Sequence, residues 1–120
     1  MNGQFDIAVI GGGAAGCTAA VEAARLGGRV VLIEQDRMLG GAAWHRGRLP
    51  TRMLQAAVGA RALSGAETVD PSTIELAKLL PDLDAHRRKH AQTYADVLQA
   101  HGVLRIHGRA TVSASKVVDV

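Results

Sequence analysis

Apolar residues recur along this chain with two spacings, and each predicts a kind of element. Phe5–Ile10 is a near-continuous apolar run that stops at Gly11, the pattern of a buried strand. Ala14–Leu26 is rich in helix formers and places small residues at Gly16, Ala20 and Ala24. That i, i+4, i+8 row predicts a helix lying close on a sheet. Gly27 and Gly28 are its natural stop. Arg29–Glu34 repeats the buried-strand pattern. Two strands joined by such a helix predict a right-handed βαβ unit with parallel strands.

Beyond Glu34 the pattern loosens. Gln35–Leu49 reads as a glycine-punctuated loop, and Pro50 stands where a helix prefers to begin. Thr51–Leu63 follows with Leu54, Ala57 and Val58 at helical spacing. Ser64–Ser72 reads as a turn-rich linker, and Thr73–Leu80 as a short helix. Asp82 is placed to cap a longer helix reaching about His101, with His90, Tyr94, Val97 and Leu98 along one face. Gly102 ends it, Val103–Gly108 reads as a third strand, and Arg109–Val120 as a hairpin turning near Ser113–Lys116. The expected architecture is α/β: a three-stranded parallel sheet with helices and an appended β-hairpin.

Composition narrows the function classes. The only aromatic residues are Phe5, Trp44 and Tyr94, too few for the stacking platforms of a single-stranded nucleic-acid reader. The net charge is +3, but its distribution says more than its sum. Between Arg37 and Ala66 stand Arg37, Arg46, Arg48, Arg52 and Arg61 and no acid. Such a block suits an anionic ligand such as a pyrophosphate, and equally a solvated basic face. Cys17 is the one cysteine, so no intramolecular disulfide can form, which is compatible with a reducing, cytoplasmic setting. The start lacks a basic n-region and a long apolar h-region, and Ile7–Ala24 is too interrupted to read as a membrane span.

The chemistry concentrates in Gly11-x-Gly13-x-x-Gly16, which follows a strand and opens a helix. Gly11 allows the tight turn, Gly13 a close approach to a pyrophosphate, and Gly16 tight helix–strand packing. Helix N-terminal amides and the helix dipole then face the phosphates. Glu34 ends the second strand, where a carboxylate accepts hydrogen bonds from a ribose 2′-hydroxyl and disfavours a 2′-phosphate. Strand, turn, helix, strand and acid occur in order, the signature of a Rossmann-like dinucleotide site. This part alone does not separate FAD from NAD.

The longer stretch DIAVIGGGAAG…VVLIEQDRMLGGAAWHRGRLPTRML resembles the N-terminal FAD segment of the pyridine nucleotide–disulfide oxidoreductases, and within them the transhydrogenase and dihydrolipoamide dehydrogenase branches. The similarity runs from about Phe5 to Leu54 and more loosely to Val120. It implies that Gly11, Gly13, Ala14, Ala15 and Gly16 hold FAD phosphates and that Glu34 and Gln35 meet the ribose. It further implies cofactor contacts at Gly40, Gly41 and Ala42, and at Arg52, which falls on the family lysine near the flavin. Ala110, in Gly108-Arg109-Ala110, falls on the stretch whose backbone meets the adenine.

The chain departs from the family where the redox thiols belong. The family pattern G-G-T-C-L-N-V-G-C-I-P-S-K is matched here by Gly40–Arg52, with Ala43 and Arg48 at the cysteine positions. Thiol–disulfide exchange needs a thiolate, which neither residue supplies. The resemblance therefore implies a partial FAD-binding domain over residues 1–120, without NAD(P) or dimerisation domain. It would belong to a flavoprotein oxidoreductase working with NAD(P)H but without the redox disulfide. The alternative is a non-catalytic nucleotide-binding or interaction module. A truncated domain would be inactive alone and would leave the first strand unpaired at a sheet edge, inviting self-association or closure by further C-terminal domains. Neither nucleic acid nor membrane is expected as a partner. Cys17 reads as packing, and the His86/His90 pair lacks a third metal ligand.

Overall fold

A computed structural model describes residues 4–63, 76–113 and 118–120. The chain divides into two compact units, Met1–Gly41 with His90–Val120, and Ala42–Lys89. Elements run β1 (Ile7–Ile10), α1 (Ala14–Arg25), β2 (Val30–Glu34), a π-helical turn (Ala43–Gly47), α2 (Arg48–Leu63), α3 (Leu76–Ala100), β3 (Leu104–His107), β4 (Thr111–Val112) and β5 (Val118–Asp119).

The first unit is built on the parallel sheet β1-β2-β3. Val9 lies opposite Leu32, and Ile33 lies opposite both Ile10 and Ile106. The central strand β2 is buried along its whole length. On one face Val9, Val30 and Leu32 meet Cys17 and Ala20 of α1 together with Leu39, Tyr94, Leu98 and Val103. The small-residue row of α1 works as expected, because Ala20 is fully buried and no large side chain holds the helix off the sheet. Thr111–Val112 pairs antiparallel with Val118–Asp119, so the C-terminal hairpin is present. Its expected turn lies outside the described residues apart from Ser113, as do the linker Ser64–Ser72 and the start of the short helix at Thr73.

Both helices of this unit end in the same way. Gly27 N–H donates to the Ala24 carbonyl and Gly28 N–H to that of Ala23, while Gly102 and Val103 repeat the pattern onto Gln99 and Leu98. These are Schellman ends, and Gly27 and Gly102 take the left-handed conformation they require. Each stop releases the chain within three residues of the next parallel strand. Ahead of β1, Asp6 accepts hydrogen bonds from the Arg29 backbone and guanidinium, clipping the start of β1 to that of β2.

Four expectations need correction. β1 is not buried: Ile7 and Ile10 are 42% and 51% exposed because β1 forms the sheet edge, with β2 as its one neighbour among the described residues. Gln35–Leu49 is not all loop. Helical geometry is already set at Ala42 and continues through the π turn into α2, so Pro50 lies inside the helical run. Pro50 is the third residue of α2, just after the π turn passes into regular helix. Pro81 also lies inside a helix: one helix, Leu76–Ala100, replaces the expected pair, and Asp82 lies within it rather than capping it. On α3, Leu98 is buried and Tyr94 packs on the core, but Val97 is 41% exposed, one position off the apolar stripe.

In the second unit, Leu83 is buried, whereas Leu54 and Val58 of α2 stay more than a third exposed. An Arg87 guanidinium nitrogen donates to the His45 carbonyl, and Thr51 Oγ1 donates to the Gly47 carbonyl at the start of α2. No helix among the described residues is long and apolar enough to cross a membrane.

Two glycines should respond to alanine with opposite sign. A Cβ on Gly16 would lie 1.9 Å from the Gly11 carbonyl oxygen, so Gly16→Ala should destabilise by roughly 1–3 kcal/mol in urea unfolding. Nothing lies within 4 Å of a Cβ on Gly59, in the interior of α2, so Gly59→Ala should stabilise by about 0.5–1 kcal/mol. The Asp6 carboxyl is held down to about 2, chiefly by its hydrogen bonds from Arg29. A depressed carboxyl contributes stability above its unfolded value and loses it as the pH falls. Stability should therefore decline between about pH 4 and pH 2, and Asp6→Asn should flatten that part of the profile.

Candidate functional site

The expected site residues of the first unit gather where β1 and β2 end. Gly11 continues the ladder, its N–H donating to the Ile33 carbonyl at 2.8 Å, and then turns with φ +101°. The turn delivers Gly12, which is buried, and Gly13, which precedes α1 in extended conformation and has no side chain to cap the first helical turn. Ala14 and Ala15 are exposed at that helix start. Gly16 presses on Gly11, as its predicted role in close packing requires.

Glu34 organises this turn from the end of β2. It is 7% exposed, the one buried charged residue among those described. Its Oε2 accepts the Gly12 N–H at 2.5 Å and its Oε1 accepts the Asp36 N–H at 2.8 Å. Its main-chain carbonyl accepts the Gly108 N–H at 2.9 Å, tying the exit of β3 to the same point. A carboxylate has about four acceptor positions. Two remain after the amides are served, enough for the two hydroxyls of a ribose.

A second glycine pair backs the first. Gly40 N–H donates to the Gly12 carbonyl at 2.8 Å, and Gly13 and Gly40 form an isolated parallel bridge. Gly41 takes φ +66°, and a Cβ there would stand 3.0 Å from the Gly13 Cα. Leu39 is fully buried, and its Cδ2 occupies the place a Gly12 Cβ would need, 2.4 Å away. Gly12 and Leu39 are thus structural members of the site that the spacing argument omitted. The signal for Gly12 was available, since the fingerprint asks for two glycines in Gly11–Gly13 and the chain has three. Leu39 had no such signal.

The remaining expected residues fall as follows. Gln35 is exposed directly after Glu34, and Ala110 is half-buried two residues beyond Gly108. Arg105 donates to the Arg37 carbonyl at 2.7 Å, holding the loop after β2 to β3. Ala42 and Arg52 belong to the second unit, Ala42 before the π turn and Arg52 exposed on α2. Ala43 opens the π turn and Arg48 opens α2. Arg48 and Arg52 have no carboxylate partner among the described residues.

Cys17 is buried against the Gly12 carbonyl, with Sγ 3.4 Å from the oxygen. Burial, and secondarily the Glu34 carboxylate, push its thiol up, so it stays protonated at neutral pH and behaves as packing rather than as a nucleophile. His86 Nδ1 lies 2.8 Å from the Asp82 carbonyl oxygen, and no group of three potential metal ligands occurs among the described residues.

The geometry fits the adenosine diphosphate half of a dinucleotide. Side chains are excluded from the turn by contact, the first turn of α1 lacks a side-chain cap, and a carboxylate with spare acceptors stands beside it. Comparisons with known proteins agree. The soluble pyridine nucleotide transhydrogenase of Mycobacterium bovis is 33% identical over 113 residues, covering 82% of this chain and 24% of that protein. Those of Chromohalobacter salexigens and Hahella chejuensis are 43% and 44% identical over 52 and 55 residues, covering 43% and 46% of this chain and 11% and 12% of theirs. The chain thus spans at most about a quarter of the length of the curated relatives it matches. A family model described as FAD dependent oxidoreductase matches residues 6–106, β1 through almost all of β3. The resemblance drawn from the glycine loop and the segment after it is thereby upheld, and the chain belongs to the FAD-dependent oxidoreductases.

Proposed function

We propose that this chain binds the adenosine diphosphate half of FAD at the β1–α1 turn. The protein it forms or belongs to would be an oxidoreductase working with a reduced pyridine nucleotide. The observation that carries the reading is the Glu34 carboxylate, held by the Gly12 and Asp36 amides beside an uncapped helix start. When bound, FAD supplies a flavin ring able to accept a hydride from a nicotinamide and to pass electrons on. The chain's own residues bind and orient. Glu34 takes the ribose hydroxyls, with Gln35 next to it. Gly11, Gly13, Ala14, Ala15 and Gly16 present backbone and helix dipole to the diphosphate. Gly40 and Gly41 back that turn, and Ala110 lines the adenine end.

The names of the relatives support a pyridine nucleotide as the second ligand. Ala42 and Arg52 are assigned to the flavin half, where the Arg52 guanidinium would stabilise an anionic reduced flavin. Onward transfer takes place without a thiol–disulfide step on this chain. Its one cysteine is buried against Gly12 with its thiol pushed up, and Ala43 and Arg48 carry no sulfur.

Titration calorimetry tests the binding. ADP and FAD should both bind the wild-type chain, and Glu34→Gln should weaken ADP by about tenfold, the cost of one charged hydrogen bond. The same variant should narrow the preference for ADP over 2′,5′-ADP. A wild-type chain that takes up neither ADP nor FAD would refute the proposal. The exposed apolar edge of β1 adds a second expectation, self-association of this chain in isolation. Dilution in size-exclusion chromatography should shift the elution volume, whereas one concentration-independent monomer peak would count against it.

A further inference from the structure

The peptide joining Gly12 to Gly13 has a glycine on each side. Without Cβ atoms neither residue restricts its rotation, so the direction of its carbonyl and amide must be set from outside. The structure shows what sets it. Two donors converge on the Gly12 carbonyl: the Gly40 N–H at 2.8 Å and the Cys17 thiol at 3.4 Å. Cys17 belongs to the buried cluster under α1, so this carbonyl is turned toward the core. In a trans peptide the following N–H points the opposite way. The Gly13 amide is therefore turned outward, to the side where Ala14 and Ala15 are exposed.

We infer that Cys17 is a positioning residue for diphosphate recognition: with the Gly40 amide it holds the Gly12 carbonyl inward and so aims the Gly13 N–H at the phosphates. This rests on the adenosine diphosphate site proposed above. The thiol suits the task, since it stays protonated and keeps its donor hydrogen across the neutral range. Gly41 lies on the other side of this peptide, where an added Cβ would stand 3.0 Å from the Gly13 Cα and would displace it. Glu34 acts on a different peptide, the one that carries the Gly12 N–H. The ribose end of the site thus does not depend on Cys17.

That separation gives the test. ADP and adenosine are titrated into the wild type, Cys17→Ala, Cys17→Ser and Gly41→Ala, followed by NMR chemical shifts. Cys17→Ala should weaken ADP about threefold, the scale of a lost S–H···O contact. Cys17→Ser, which keeps a donor, should stay within about twofold of wild type. Gly41→Ala combines a strained φ with the Gly13 contact and should weaken ADP about tenfold or more. Adenosine should bind all four alike. If the variants bind ADP like the wild type, or lose ADP and adenosine in parallel with a fall in melting temperature, Cys17 is packing only and the inference is wrong. Should Gly41→Ala fail to fold, the Ala/Ser pair at Cys17 decides alone. A wild type that ignores ADP would instead overturn the site itself, a different and recognisable result.

Discussion

One hydrogen bond holds the site together, from the Gly12 N–H to the Glu34 carboxylate. It joins residues twenty-two positions apart, at the ends of neighbouring parallel strands. A buried carboxylate is costly unless hydrogen bonds replace its water, and here two backbone amides do so. The same residue receives the Gly108 amide on its main-chain carbonyl. The exits of all three strands are thus referred to Glu34. Moving it would shift the glycine turn, the loop after β2 and the segment leading to Ala110 together.

The glycines work by approach as much as by backbone freedom. Gly16 lets α1 start against the Gly11 carbonyl, and Gly12 makes room for Leu39. Gly41 lets a second turn close over Gly13. The result is a turn with almost no side-chain atoms at its surface, walled by backbone from two segments far apart in sequence. Anion binding by backbone amides demands that construction, since a Cβ at any of these places would either collide or separate the layers.

Much of this was legible in the residues alone. The strand–turn–helix–strand order, the acid at Glu34 and the Gly27 and Gly102 stops are local signals, and each appeared where its spacing put it. β1 departs from its buried reading because an apolar run reveals strand character but not burial, whereas its place at an open sheet edge agrees with the partial-domain expectation. The helical run before Pro50 and the unbroken α3 differ from the expectation because a proline signals a boundary in sequence, whereas both prolines here lie inside helices. Leu39 and the thiol bond of Cys17 were beyond reach, since both depend on which segments meet in space. The flavin-facing roles proposed for Ala42 and Arg52 rest on the family resemblance alone.

The most direct measurement of the central claim is amide hydrogen exchange at Gly12, read residue by residue by NMR with and without ADP. An amide locked to a buried carboxylate should be strongly protected and shifted downfield in the free chain. It should stay protected with ADP bound, while the Gly13 resonance moves. A Gly12 amide that exchanges as fast as an exposed loop, or a Gly13 resonance that ignores saturating ADP, would contradict the account.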